Sequence, residues 1–226
     1  IEKAEQSLYD LATSGDFKGG FKAFRESVIA AIEIATIAHN RQGGLAGVGT
    51  GFKDMDSLLG GMHSSDLLIL AGRPSMGKTA LATNIAYNAA KDYYESEGKE
   101  GAVVGFFSLE MSAEQLASRI LSEQSNISSD RMRKGELATE EFNRLSAASN
   151  TLHQIPIFID DTPALTVSAL RTRARRLKRQ HKLGLIIVDY LQLIAGGSTS
   201  RNDGRVQEVS AITRGLKTLA KELEVP

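Results

Sequence analysis

Asp66-Leu67-Leu68-Ile69-Leu70-Ala71-Gly72-Arg73-Pro74-Ser75-Met76-Gly77-Lys78-Thr79 is the stretch that decides the fold. Leu67 to Ala71 is an uninterrupted apolar run of strand length, bounded by Asp66 and a glycine, and predicts a buried strand. Gly72 to Thr79 completes the pattern G-x-x-x-x-G-K-T, and the residues from Lys78 to about Tyr93 predict a helix. Strand, glycine loop and helix, in that order, form the context in which this pattern cradles phosphate. The glycines permit a tight turn whose backbone N–H groups converge on phosphate oxygens, and the helix start favours an anion. Lys78 is placed to reach the β and γ phosphates of a nucleotide, and the Thr79 hydroxyl to ligate Mg²⁺. Gly72, Arg73, Pro74, Ser75, Met76, Gly77, Lys78 and Thr79 are therefore the first candidate site residues.

Downstream, apolar strands and helices alternate. Ala102 to Ser108 predicts a strand, and about Ser112 to Glu123 a helix. Asp130 to Asn150 carries Met132, Leu137, Phe142 and Leu145 at helical spacing. Ile155 to Ile159 predicts a strand closed by Asp160-Asp161-Thr162-Pro163, in which both aspartates read as turn formers. Thr166 to about Gln180 predicts a helix, Leu185 to Val188 a fully apolar strand, and Val206 to Glu222 the last helix. Apolar strands separated by helices of this length imply an α/β fold whose mainly parallel sheet is covered on both faces. Open parallel sheets bind ligands at the carboxyl ends of their strands. Asp189 emerges at such an end and is the candidate second metal ligand. Alone, an aspartate there is more often a turn or cap; beside a phosphate loop, the metal-side role prevails. Glu110 follows the strand ending Phe106-Phe107-Ser108 and is the candidate for orienting or deprotonating water. Residue types alone leave open a plainer reading, a glutamate in the first turn of the next helix.

Upstream, residues 1 to 14 show one apolar stripe, Ile1, Ala4, Leu8 and Leu11, which Ser14-Gly15-Asp16 terminates. Either its own domain, or a neighbouring subunit or absent domain, covers that stripe, and the residues do not choose. A second helix is predicted from Phe21 to about Asn40. Gly43-Gly44 and the glycines at 47, 49 and 51 read as a flexible stretch before the body. The organisation is thus a helix over 1–14, a helical lead-in over 15–44 and a body over 45–226.

The 226 residues, 42% of them hydrophobic, suffice for one substantial core. Lys plus Arg and Asp plus Glu both number 27, which excludes a globally basic nucleic-acid coat but leaves local basic surfaces open. With no cysteine, disulfides, thiolate nucleophiles and cysteine-ligated zinc are excluded, and the four histidines form no ligand-like cluster. No apolar run is long enough to cross a bilayer. The opening Ile1-Glu2-Lys3 is neither a signal peptide nor an initiation site, and Glu224-Val225-Pro226 reads as a strand beginning, so a chain cut at both ends is expected.

Two segments are locally basic. Residues 171–182 carry seven Lys/Arg and no acid. The preferred reading is a solvated helix with Leu170 and Leu177 turned inward and cations forming salt bridges between subunits. The loop from Gly196 to Arg205 is the better nucleic-acid candidate: Arg201 and Arg205 can meet phosphates while backbone N–H groups, Gly204 among them, add the rest. It has no aromatic residue, so it is no stacking platform. A plain surface connection is an equal reading on these residues alone.

The chain resembles the C-terminal, RecA-like motor domain of the bacterial replicative DNA helicase family, DnaB. The resemblance runs over essentially the whole chain. Its specific pieces are Gly47-Val48-Gly49-Thr50-Gly51-Phe52, the Asp66–Thr79 stretch with Arg73-Pro74-Ser75-Met76 inside it, Phe107-Ser108-Leu109-Glu110-Met111, Asp189-Tyr190-Leu191-Gln192-Leu193 and Gln207-Glu208-Val209-Ser210. It implies a RecA-like P-loop NTPase core with ATP and Mg²⁺ as cofactors, and a homohexameric ring that encircles single-stranded DNA and translocates 5′ to 3′. It implies catalytic roles for Glu110 and Lys78, nucleotide and metal roles for Thr79 and Asp189, and DNA contacts from the 196–205 loop, with Arg201, Gly204 and Arg205 as candidates. Residues 1–14 match the linker helix that packs on the adjacent subunit. Primase and a helicase loader are implied partners of the full-length protein, in the bacterial cytoplasm and without a membrane. The family's sensor glutamine and arginine finger fall beyond Pro226, so the expectation for the isolated chain is nucleotide binding without ring-dependent hydrolysis. The competing readings are a RecA-like ATPase of the recombination type, and a fragment acting only as a nucleotide-binding assembly module.

Overall fold

The computed structural model describes residues 21, 23–40, 45–195 and 204–226. The chain divides into two units, residues 1–44 and 45–226. In the first, helix α1 spans Phe24–Asn40, and Phe24, Val28, Ile29 and Ile32 on it are exposed. The expected helix over residues 1–14 lies outside the described residues.

The second unit is built on a three-stranded parallel sheet of order β2-β1-β3. Strand β1, Val103–Ser108, is central and buried at every position; β2 is Ile157–Asp160 and β3 is Leu183–Asp189. A parallel strand flanked on both sides must be apolar on both faces, which is why Val-Val-Gly-Phe-Phe-Ser shows no polar alternation. Val104 and Phe106 point into one core layer and Phe107 into the other. The first layer is closed by α3, Lys78–Glu95, through Ala86, Tyr87, Ala89 and Ala90, and by α4, Ala113–Ser125, through Leu116 and Ile120. The second is closed by α7, Val167–His181, through Leu170 and Ala174, and by α8, Arg205–Leu223, through Ile212, Leu216, Leu219 and Leu223. Between β1 and β2 the predicted helical stretch splits at Gly135 into α5, Ser129–Lys134, and α6, Thr139–Leu152.

Three of the cations of α7 are paired within the chain. Arg171 and Arg175 pair with Glu222 on α8. Arg173 bonds Asp160 at the end of β2 at 2.6 Å. Leu170 is buried as expected, so helix-to-helix ion pairs flank an apolar seam.

Two sequence expectations fail. Leu67–Ala71 is not a strand, and Leu68, Ile69 and Leu70 are exposed. A strand requires a neighbour to bond its N–H and C=O groups, and among the described residues none runs beside this stretch. On the β3 edge away from β1, the Ile186 N–H donates to the Pro226 carbonyl at 3.0 Å. The base of the stretch is held by Lys217 on α8, which donates to the Ser65 carbonyl at 2.8 Å and pairs with Asp66 at 3.7 Å, while Leu67 packs on the second core layer. Nor is the described part of the glycine-rich segment a loose connector. Val48 and Met62 exchange backbone bonds of 2.9 and 2.7 Å, and a Cβ on Gly47 would lie 2.5 Å from the Met62 carbonyl oxygen. Asp56, on the short helix α2 (Lys53–Leu59), accepts from the Thr50 and Gly51 N–H groups, and Asn88 on α3 donates to the Thr50 carbonyl. Glycine serves close approach here, not flexibility.

Candidate nucleotide site

The direction of α3 relative to the sheet places the phosphate loop. The Ala102 N–H, at the foot of β1, donates to the Ala89 carbonyl at 2.8 Å, and α3 packs on β1 and β3. From that point Lys78 lies about 16 Å back along the helix at 1.5 Å per residue. Ser108 lies about 20 Å along β1 at some 3.3 Å per residue. The two progressions run the same way, so the N-terminus of α3 opens at the carboxyl-end edge of the strands.

The loop ahead of it, Gly72 to Gly77, is exposed. Ser75 and Gly77 both have positive φ, 64° and 82°, on either side of Met76. Left-handed residues alternating with right-handed ones turn successive N–H groups to one side, a concavity suited to an anion. At position 77 glycine adopts that conformation without the side-chain clash any other residue brings. The Lys78 ammonium folds back on the loop, donating to the Gly72 carbonyl at 2.9 Å and the Arg73 carbonyl at 3.1 Å. Those two acceptors hold its charge at the mouth of the concavity. No described residue bonds the Thr79 hydroxyl, while the Thr79 carbonyl is bonded by Thr83.

Strand pairing brings the two carboxylates to this edge. Ser108 and Asp189 are register partners at the ends of β1 and β3, and the Leu109 N–H donates to the Asp189 carbonyl at 2.8 Å. The Asp189 side chain is buried, 7% exposed, and its Oδ2 has no hydrogen-bond partner among the described residues. A buried carboxylate oxygen bonded to nothing is costly unless a cation completes it. This orphaned oxygen and the open Thr79 hydroxyl fit Mg²⁺ carried in with a nucleotide. Among the described residues no cluster of three or more His, Cys, Asp or Glu forms a metal cage; at a nucleotide site, phosphates and water commonly supply most of the Mg²⁺ ligands. The peptide joining Asp189 to Tyr190 is cis. Glu110 stands two residues beyond Ser108, exposed, with no bond to its carboxylate from any described residue.

Phosphate loop, Asp189 and Glu110 are thus gathered at one edge. Arg201 and the side chain of Arg205 lie outside the described residues; Gly204 is the N-cap of α8. Asp160 and Asp161 read in the sequence as turn formers, and what they hold is visible only in the fold. Asp160 accepts from the Thr162 N–H at 3.1 Å and binds Arg173. Burial pushes its carboxyl up, but the hydrogen bonds from Arg173 and Thr162 outweigh that and hold it below the ordinary range. Asp161 accepts from the Ala113 N–H at 2.9 Å. Ser108, 2% exposed, donates to the Met111 carbonyl at 2.7 Å. Ser-x-x-Gln from Ser112 to Gln115 was the readable signal for the capping box at the start of α4; the Asp161 contact had none.

A parallel α/β sheet with a glycine-rich phosphate loop and an acidic strand end at its carboxyl edge defines the class of P-loop nucleotide-binding domains. Within that class, residues 47–226 match the DnaB-like helicase C-terminal domain, and the chain belongs to that family. It is 50% identical over 229 residues to the replicative DNA helicase DnaB of Rickettsia conorii, an alignment covering all of this chain and 46% of that protein. It is 42% identical over 226 residues to the replicative DNA helicase DnaB of Geobacillus stearothermophilus, covering all of this chain and 48% of that protein. Among solved structures, a DnaB-like replicative helicase described with its interactions with primase superposes with a TM-score of 0.75 at 28% identity, over all of this chain and 51% of that one. A separately solved ATPase domain superposes with a TM-score of 0.79, also at 28% identity, over 91% of this chain and 69% of that one. The chain therefore spans about half the length of the curated relatives. The core is RecA-like, as the resemblance implied. The recombination-type alternative is not favoured, since these relatives are named replicative helicases.

Proposed function

We propose that the protein carrying this chain is a replicative DNA helicase, an ATP-hydrolysing motor that moves 5′ to 3′ on single-stranded DNA as a homohexameric ring. The observation that carries the reading is the convergence of the Gly72–Thr79 loop, the buried unpaired Asp189 oxygen and the unencumbered Glu110 at one sheet edge of a DnaB-type domain. ATP is held by the loop N–H groups, and Lys78 exchanges its two carbonyl bonds for β- and γ-phosphate oxygens. Mg²⁺, when bound, neutralises phosphate charge and is held from the protein side by Thr79 and Asp189. Glu110 orients the attacking water and accepts its proton, and the products are ADP and phosphate. β3 leads from Asp189 through the short turn Leu191–Leu193 toward the 196–205 loop. Loss of the γ-phosphate is thereby communicated to the segment assigned to DNA. Arg201, Gly204 and Arg205 hold the DNA backbone without sequence preference.

Residues 1–14 serve as the linker helix docked on the neighbouring subunit. Primase and a loader are partners of the full-length protein. A bacterial cytoplasmic setting is supported by the relatives, and no described helix is long and apolar enough to cross a membrane. Strand displacement by the full-length protein tests the reading. A fork with a 5′ single-stranded tail is opened in the presence of ATP, one with only a 3′ tail is not, and Lys78→Ala opens neither. Absence of DNA-stimulated ATP turnover in the unsubstituted full-length protein overturns it.

A further inference from the structure

The turn that carries Glu110 is fastened from three directions. β3 contributes the Asp189 carbonyl, which accepts from the Leu109 N–H at 2.8 Å. Within the turn, the buried Ser108 hydroxyl donates to the Met111 carbonyl at 2.7 Å. From a distance of 48 residues in sequence, Asp161 Oδ2 accepts from the Ala113 N–H at 2.9 Å. Glu110 has no bonding partner among the described residues, so its direction is set by the backbone of residues 108–113.

We propose that Asp161 is a positioning residue for Glu110 and so for ATP hydrolysis, an inference that rests on the reading of Glu110 as the group that activates water. Phe107 on β1 is the register partner of Asp160 on β2, so Asp161 leaves the sheet level with Ser108, beside the turn. It meets the first N–H of α4, a donor that has no partner within its own helix. A carboxylate at that end of a helix is also favoured by the helix field. Asp161 is itself held in place, because its neighbour Asp160 is bound by the Thr162 N–H and by Arg173 on α7. β2 and α7 therefore fix where α4 begins, and the start of α4 fixes where Glu110 stands. Without the Asp161 acceptor, the Ala113 N–H turns to water. The bonds from Ser108 and Leu109 keep the turn folded, but its far end is released. A displacement of the order of 1 Å at a group that must orient water is enough to cost one to two orders of magnitude in rate.

Asp161 is exposed, so its substitution leaves the core intact. Asp161→Ala and Asp161→Asn are compared in the full-length protein for ATP turnover with single-stranded DNA, and for affinity toward a non-hydrolysable ATP analogue. The expected result is a loss of about tenfold in kcat for Asp161→Ala, with analogue affinity unchanged. Asp161→Asn keeps an oxygen acceptor and restores turnover. In a Glu110→Gln background Asp161→Ala causes no further loss, because both substitutions remove the same contribution. Normal turnover by Asp161→Ala beside an inactive Glu110→Gln overturns the inference and leaves the role of Glu110 standing. A parallel loss of analogue affinity and turnover that Asn does not rescue reduces Asp161 to a structural part and also overturns it. Undiminished turnover by Glu110→Gln removes the reading of Glu110, and the inference with it.

Discussion

Asp189 Oδ2 is a buried acceptor that no described residue bonds. Leaving a buried polar group unsatisfied costs about 1–3 kcal/mol, more when it is charged. Asp189→Asn should therefore leave the nucleotide-free protein as stable as before, or raise its stability by about 1 kcal/mol, read from thermal melts. The same substitution should lower Mg²⁺-dependent ATP turnover by at least about a hundredfold, read from phosphate release. Chelation should bring the unsubstituted protein down to the variant's level and change the variant little. Glu110→Gln should behave differently. No described residue bonds its carboxylate, so stability and nucleotide affinity should hold while turnover falls by about 10²–10⁴. Both residues were legible in the sequence because each lies at or just beyond the end of an apolar strand. The burial of one and the exposure of the other were not, since both depend on what the rest of the chain lays over that edge.

At the scale of elements, the central strand and the segment leading to the phosphate loop look alike as apolar runs yet differ in weight. Phe106 is 1% exposed and Ile69 is 62% exposed. Phe106→Ala should cost about 3–5 kcal/mol, whereas Ile69→Ser should stay within about 0.5 kcal/mol, both read from denaturant midpoints. A large loss at Ile69 would show that the segment is covered. The link between β2 and α7 has a pH signature. The Asp160 carboxyl is held below its ordinary value, so its contribution is present above the ordinary carboxylate range and is lost as pH falls through the lowered value. Arg173→Ala should accordingly be about 0.5–1 kcal/mol less stable near neutral pH. The difference should close as the carboxyl protonates in acid, checked by melts across that range. A difference independent of pH would mean that Arg173 acts through packing alone.

At the scale of the whole molecule, the assembly reading concerns a balanced chain, 27 cations against 27 anions, so gross charge neither drives association nor opposes it. Light scattering coupled to size exclusion, with a non-hydrolysable ATP analogue and single-stranded DNA, should give a nucleotide-dependent six-subunit particle. A persistent monomer would end any claim that these 226 residues unwind DNA by themselves. The sequence alone determined the alternation of strands and helices, the phosphate loop and the two acidic strand exits. These are local signals, carried by periodicity and by neighbours a few positions apart. Tertiary structure decided everything that needed a distant partner. Leu67–Ala71 is apolar enough for a strand, but a strand exists only when another backbone bonds it. Gly47 looked flexible until Met62 was found against it. Arg171 and Arg175 looked outward until Glu222 met them. Asp161 looked like a turn residue until it reached Ala113. An apolar pattern records which face of an element is buried; it does not record which remote donor or acceptor that burial brings alongside.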